Sequence, residues 1–306
     1  MAEDQTYNGD AWNIQASKLL KIFEWEQIGD ANIDIIGDDK KPFGVDRLFK
    51  FLDLNRTGNS ELVIVEAKRY STSSYNKSSI ADWVTIIDNK LNKAKKSGEF
   101  RDTYGVDAIP IRIGLIVIWF HDVHNFETPI FQNRYNDSLL NVKPSAQPRK
   151  AGSNRIYVIT NNIILRLCSM LSHIGAFERK HLVSLKFIYP GSEEGKPVRR
   201  SKQLTIDYIL SKFILVESTS KNDIQYNVVF YFGDIDLPSF RRLSSALYAF
   251  NFVDRDKPLF IYHYNNDDSF RKHKTEIDKL FPDVEFHLKK MTRYGNIPPE
   301  IDEVDD

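Results

Sequence analysis

Asp46, Glu66 and Lys68 are the residues of this sequence whose types and spacing point to chemistry. Glu66 and Lys68 stand two apart at the end of an apolar run, and in an extended strand Leu62, Ile64, Glu66 and Lys68 share one face. Gly44–Leu54 and Glu61–Lys68 are both rich in strand formers, and Asn55, Arg56, Thr57, Gly58 and Asn59 between them have turn chemistry. If the turn is centred near Arg56, the hairpin register sets Asp46 opposite Glu66. Directly opposed side chains lie roughly 5 Å apart at Cβ, and two like charges so placed are destabilising unless something positive lies between them. The pair therefore suits a divalent cation held through oxygen. Mg²⁺ is the natural candidate, because it accepts one or two carboxylates and keeps its waters for substrate. Lys68 then stands beside a cation-bound water, where it orients the nucleophile and stabilises charge developing on a phosphate.

The elements around them must position these groups. The spacing of Trp12, Ala16, Leu19, Leu20 and Phe23 predicts a helix over 10–23. Residues 25–36 predict a short, interrupted strand, and the hairpin follows it. Ser79 and Asp82 have the spacing of a capping box, followed by Ile80, Trp83, Val84, Ile87, Leu91 and Ala94 on one helical face, with Lys93, Lys95, Lys96 and Gly98 as its closing signals. Ile111–Phe120 is apolar on both faces, as in a strand buried between two layers. The order helix, antiparallel hairpin, helix, buried strand reads as an α/β core.

With Asp46 followed by Glu66-Ala67-Lys68 at the end of an apolar strand, this region resembles the PD-(D/E)XK nuclease superfamily, the restriction-endonuclease-like fold. Gly44 and Val45 before Asp46 are similar to the Gly-x-Asp form of the restriction-like branch, and Gly9, Trp12, Leu19 and Leu20 are spaced like its opening helix. The resemblance covers about residues 9–120. It implies phosphodiester hydrolysis with Asp46, Glu66 and the Ala67 carbonyl on Mg²⁺ or Mn²⁺ and Lys68 as the catalytic lysine. Many relatives carry a glutamate on the opening helix where this chain has Asn13, whose amide oxygen can still reach a metal or its water. The expectation is a metal-dependent nuclease acting on DNA in preference to RNA, in a restriction or anti-phage defence setting, working with a second protein subunit or as a homodimer. The alternative is a catalytically inactive nucleic-acid-binding or assembly subunit that keeps the fold. Without its context the motif has a plainer reading, a surface hairpin whose Glu66 and Lys68 are solvated charges.

The 306 residues allow one large or two ordinary domains. From 121 to 153 the chain is polar and carries Pro129, Pro144 and Pro148, which predicts a long loop, and Gly191, Gly195 and Pro197 mark a boundary at 190–203. The expected organisation is a nuclease-like domain over 1–190, a C-terminal α/β domain over 204–299 for partner or target binding, and an acidic tail over 300–306. In the C-terminal domain, Asp236 and Pro238 open a predicted helix with Phe240, Leu243, Leu247 and Phe250 inward, between strands at 226–232 and 258–264; a helix at 268–281 and a strand at 284–288 follow.

Forty-two basic and 42 acidic residues give zero net charge, which argues against a histone-like binder, so phosphate contacts must come from local patches. Arg69 and Tyr70 follow the motif directly; Arg149, Lys150 and Arg155, and Lys196, Arg199, Arg200 and Lys202, are the other candidates. A single cysteine, Cys168, excludes an intramolecular disulfide and lies on an apolar helix face, as a buried structural thiol does. His121, Asp122 and His124 lack a further ligand within reach in sequence and read as loop. No serine nucleophile elbow, phosphate-binding loop or dinucleotide fingerprint appears. The longest apolar run, Ile113–Phe120, is too short to span a bilayer, and the polar start lacks the features of a signal peptide, so a cytoplasmic protein without a membrane partner is expected.

Overall fold

The computed structural model describes residues 8–36, 40–55, 58–140, 142, 153–190, 198–220, 225–265 and 270–298. Arg149, Lys150, Lys196 and the tail 300–306 lie outside the described residues. The chain divides into two compact units: Met1–Asp53 with Gly58–Ile164 and Gly295–Asp306, and Leu54–Thr57 with Leu165–Tyr294.

The first unit opens with α1 (Asn8–Ile22), whose Trp12, Ala16, Leu19 and Leu20 form a buried stripe. Two short strands, β1 (Glu26–Ile28) and β2 (Ile33–Ile36), follow. Gly29, at φ 66°, turns the chain between them where a Cβ would lie 2.7 Å from a ring carbon of Tyr104. The strand expected over 44–54 is also two, β3 (Pro42–Val45) and β4 (Arg47–Leu52), parted at Asp46. The reason lies in their partners. β3 pairs with β2 as a separate ribbon, while β4 pairs with β1 and with β5 (Ser60–Tyr70). Asp46 is thus the residue at which the chain passes from one sheet to the other.

The β4–β5 ladder runs from Leu52↔Ser60 to Arg47↔Val65. One step further, the same register sets Asp46 beside Glu66, as the hairpin turn predicts. α2 (Ser79–Lys96) buries Ile80, Trp83, Ile87, Leu91 and Ala94. Its N-cap is Ser78 rather than Ser79, whose hydroxyl donates to Asn76 Oδ1. Gly98 does not terminate the helix either: Ser97 ends α2 and caps α3 (Gly98–Tyr104) by accepting from Phe100 N, and the left-handed glycine is Gly105 after α3.

β6 (Ile111–Phe120) is buried on both faces and lies parallel to β5, as its composition predicts. The long loop expected at 121–153 is corrected over its first part. α4 (Val123–Phe126) and α5 (Pro129–Leu140) occupy it, with Pro129 at the start of α5. Phe126, Phe131 and Tyr135 join the core around Phe120 and Tyr75, so three aromatic side chains outweigh the polar average of the segment. β7 (Arg155–Ile159) completes a mixed sheet of order β1-β4-β5-β6-β7, and α6 (Asn161–His181) follows. This is an α/β restriction-endonuclease-like core.

In the second unit, beyond the shared α6, the chain forms β8 (Val183–Tyr189), β9 (Arg199–Ser201), α7 (Ile206–Ile209), β10 (Phe213–Ser220), β11 (Gln225–Tyr231), α8 (Leu237–Ala249), β12 (Leu259–His263), α9 (Phe270–Asp278) and β13 (Phe286–Lys290). The sheet order is β13-β12-β11-β10-β8-β9, with β11, β12 and β13 parallel and the other pairs antiparallel. Asp236 caps α8 by accepting from Ser239 N at 2.7 Å. Phe240, Leu243 and Leu247 are buried as expected, but Phe250 is the C-cap and stays 40% exposed. Cys168 is buried. Among the described residues no helix is long and apolar enough to cross a membrane.

Candidate active site

Why Glu66 ends up buried follows from its strand. Val63, Ile64 and Val65 are fully or almost fully buried, β5 is flanked by β4 and β6, and Glu66 itself is 3% exposed. Ionising a carboxyl there costs free energy unless partners compensate. Asp46 approaches from the sheet switch: its Oδ2 accepts the Ala67 backbone N–H at 3.0 Å. Its own carbonyl accepts from Asn32 N at 3.0 Å and from Arg47 Nη1 at 2.8 Å. Two cations meet Glu66, Lys68 Nζ at 3.5 Å from Oε2 and Lys90 Nζ at 2.5 Å from Oε1. Burial first, and then the charge of Asp46, push the Glu66 carboxyl above the usual carboxylate range, while Lys90 and Lys68 pull the other way.

Lys90 is the one of these four charged residues that belongs to no motif in the sequence. It comes from α2, three residues after Ile87 and seven after Trp83, both buried. A lysine interrupting the core-facing stripe of an amphipathic helix was the available signal. Gly114 on β6 brings that helix close: a Cβ at 114 would lie 2.8 Å from Ile87 Cδ1.

α1 reaches the same region through hydrogen bonds. Ser17 Oγ donates to the Asn13 carbonyl at 2.8 Å and accepts from Arg47 Nε at 3.0 Å, and Arg47 holds the Asp46 carbonyl. Trp12 anchors the helix on β6 by donating from Nε1 to Val117 O at 3.1 Å and stacking on Trp119. Asn13 Oδ1 is buried and has no hydrogen-bond partner among the described residues. The Asp46 and Glu66 carboxylates, which repel each other, are oxygen donors of the kind that fits a hard divalent cation, and the Asn13 amide oxygen is a further oxygen on α1. Among the described residues no group of three or more His, Cys, Asp or Glu side chains could hold a metal, so a cation here would draw on two carboxylates with carbonyl, amide or water oxygens.

The candidate phosphate contacts are not gathered in one place. Arg69 and Tyr70 continue β5 beyond Lys68, and the Tyr70 ring lies 5.0 Å from Trp83. Arg155 is 3.7 Å from both Asp53 and Glu61, beside the Arg112–Glu61 ion pair. In the second unit, Arg199 Nη1 donates to Leu54 O at 3.0 Å and Arg200 Nε to Glu217 at 2.6 Å, whereas Lys202 is exposed. Asp122 accepts from Thr72 N at 2.8 Å, from the Thr72 hydroxyl and from Asn125, a structural role that holds its carboxyl below the usual range.

A family model described as the GAPS4 protein PD-(D/E)XK nuclease domain matches residues 1–163. No curated protein matches the chain. A solved structure described as "Crystal structure of Aa-Ago with externally-bound siRNA" aligns at 10% identity over 86% of this chain and 40% of that one, with a TM-score of 0.19, too low to indicate a common fold. The family match spans more than half of the 306 residues and includes α1, the sheet switch at Asp46, β5 and α2. By that match, and with Asp46, Glu66 and Lys68 converging within it, the chain belongs to the PD-(D/E)XK nuclease domain family of GAPS4 proteins.

Proposed function

We propose that the protein is a Mg²⁺- or Mn²⁺-dependent nuclease that hydrolyses phosphodiester bonds of DNA in a restriction or anti-phage defence setting. The observation that carries this reading is the meeting of Asp46, Glu66 and Lys68 at the end of β5, with Asp46 fixed by the Ala67 N–H. Asp46, Glu66 and the Ala67 carbonyl would hold the cation, with Asn13 as an auxiliary oxygen. A divalent cation held there would supply a water of lowered pKa and offset charge on the scissile phosphate. Lys68 would orient the attacking water and donate to the phosphate oxygen on which charge develops. Lys90 holds Glu66 Oε1, so that Oε2 faces Lys68. Arg69, Tyr70 and the basic residues at 149–155 and 199–202 are the proposed phosphate contacts, and residues 204–299 are proposed to bind a partner or target, from a second subunit, a homodimer or the DNA itself. A cytoplasmic setting belongs to the same reading.

The competing reading is an inactive nucleic-acid-binding or assembly subunit. It is favoured by one feature, the two ammonium groups that already compensate Glu66. The test incubates the purified chain with plasmid, linear DNA and RNA in Mg²⁺ or in chelator. Cleavage of DNA in Mg²⁺, lost in chelator, in Glu66→Ala and in Lys68→Ala, is expected, the lysine loss amounting to about 10²–10⁴-fold. Absence of cleavage, together with absence of calorimetric Mg²⁺ binding, would establish the inactive subunit instead.

A further inference from the structure

The second unit carries a cleft of about 450 Å³ between α6 and the β11–β12–β13 side of its sheet. Its character is unusual for a neutral protein. Phe260 and His287 are neighbours across the parallel ladder and stack at 4.4 Å with an interplanar angle of 20°. His181 of α6 lies 5.0 Å from the Tyr226 ring, and Tyr226, on the neighbouring strand, lies 5.9 Å from Phe260. Two cations complete the lining: Lys180 from α6, and Lys289, whose Nζ sits 4.8 Å above the Phe260 ring.

Neither lysine has a carboxylate partner among the described residues. The carboxylate in the lining, Glu285, is 2.8 Å from His287 Nε2. The cations consequently act on one another. Lys289 is pushed below the usual lysine range by burial and then by Lys180, and the His181 imidazole is pushed down by burial and then by Lys180 and Lys289. A cleft that combines ring faces with mutually repelling cations offers stacking and a place for an anion together, and a nucleotide supplies both partners. β13 is the edge strand, so the cleft opens along the sheet margin, which suits a continuing chain better than a closed mononucleotide.

We propose that this cleft binds a nucleotide of single-stranded nucleic acid, its base stacked among His287, Tyr226 and His181 and its phosphate met by Lys180 and Lys289. The inference does not depend on the nuclease reading, since none of these residues belongs to the Asp46–Glu66 site. A duplex is disfavoured because its bases are already stacked and paired. An acidic peptide would satisfy the lysines and leave the rings unused.

The test uses the full chain in chelator, which removes the cation that the proposed cleavage requires, and a short oligothymidylate carrying one 2-aminopurine. Binding is expected to quench the probe by stacking, with Lys180→Glu and His287→Ala each weakening affinity about tenfold. Lys180→Ala is expected to lower the dependence of log K on log salt by about 0.7, because one fewer phosphate of the single strand is neutralised. Lys180 is exposed, so its variants report on binding and not on folding. Affinity and quenching unchanged in both Lys180→Glu and His287→Ala would overturn the proposal. So would competition by the same sequence as duplex, or by thymidine monophosphate, at concentrations matching the oligonucleotide. Tighter binding of a poly(Glu,Tyr) peptide than of the oligonucleotide would reassign the cleft to a protein partner.

Discussion

The backbone N–H of Ala67 donates to Asp46 Oδ2 at 3.0 Å, tying the residue at which the chain changes sheets to the strand that carries Glu66. The bond fixes one carboxylate beside another that is almost fully buried, and the raised pKa of Glu66 partly reflects that neighbour. Asp46→Asn keeps an oxygen for the Ala67 N–H and removes the charge. The Glu66 carboxyl is then expected to titrate lower than in the wild type, measured by carbon NMR of the side-chain carboxyl, while cleavage is lost.

Glu66 also predicts a pH dependence of stability. Its folded pKa lies above the ordinary glutamate value of 4.5, so the unfolded chain releases this proton first as pH rises. The folded state loses stability from the unfolded pKa up to the folded one, and the cost is fully present above both. Glu66→Gln mimics the protonated form. The melting temperature of the variant relative to wild type, in chelator, is expected to be more favourable at pH 7 than at about pH 4, where both forms are neutral. A difference that does not change with pH would show that Glu66 ionises without penalty.

Lys90→Met removes the closer of the two ammonium groups from Glu66. The metal-free protein is expected to lose about 1–3 kcal/mol, because a buried carboxylate is left with a weaker partner. Mg²⁺ should then raise the melting temperature more in the variant than in wild type, since no ammonium competes for Oε1. Thermal melts with and without Mg²⁺ decide it.

Gly114→Ala tests how α2 is seated. The new Cβ would lie 2.8 Å from Ile87 Cδ1, and the expected cost is about 1–3 kcal/mol of overpacking. Ile87→Val removes that terminal carbon and alone costs about 0.5–1.5 kcal/mol. Combined, the two should cost less than their sum by about 0.5 kcal/mol or more in urea melts, as touching residues do.

Asn13→Glu puts a carboxylate where an amide oxygen lies buried with no partner among the described residues. Calorimetry is expected to give several-fold tighter Mg²⁺ binding, and the melting temperature in chelator should fall through like-charge repulsion and burial. Unchanged values for both would remove Asn13 from the site.

Periodicity and turn chemistry are local properties, and they sufficed for much of the nuclease-like half. The stripe of α1, the register that brings Asp46 to Glu66, the buried face of α2 and the full extent of β6 are all written in side-chain spacing, because each depends on which residues must leave water. Tertiary structure decided the rest. Residues 44–54 read as one strand from propensity alone, and only different partners, β2 for β3 and β1 with β5 for β4, part the chain at Asp46. Lys90 is a surface residue by type; it becomes part of the site because Gly114 admits α2 closely enough for its ammonium to compensate a carboxylate on another element. The cleft of the second unit brings together His181, Tyr226, Phe260 and Lys289 from four separate elements, and no spacing along the chain encodes a relation that exists only after the sheet has formed.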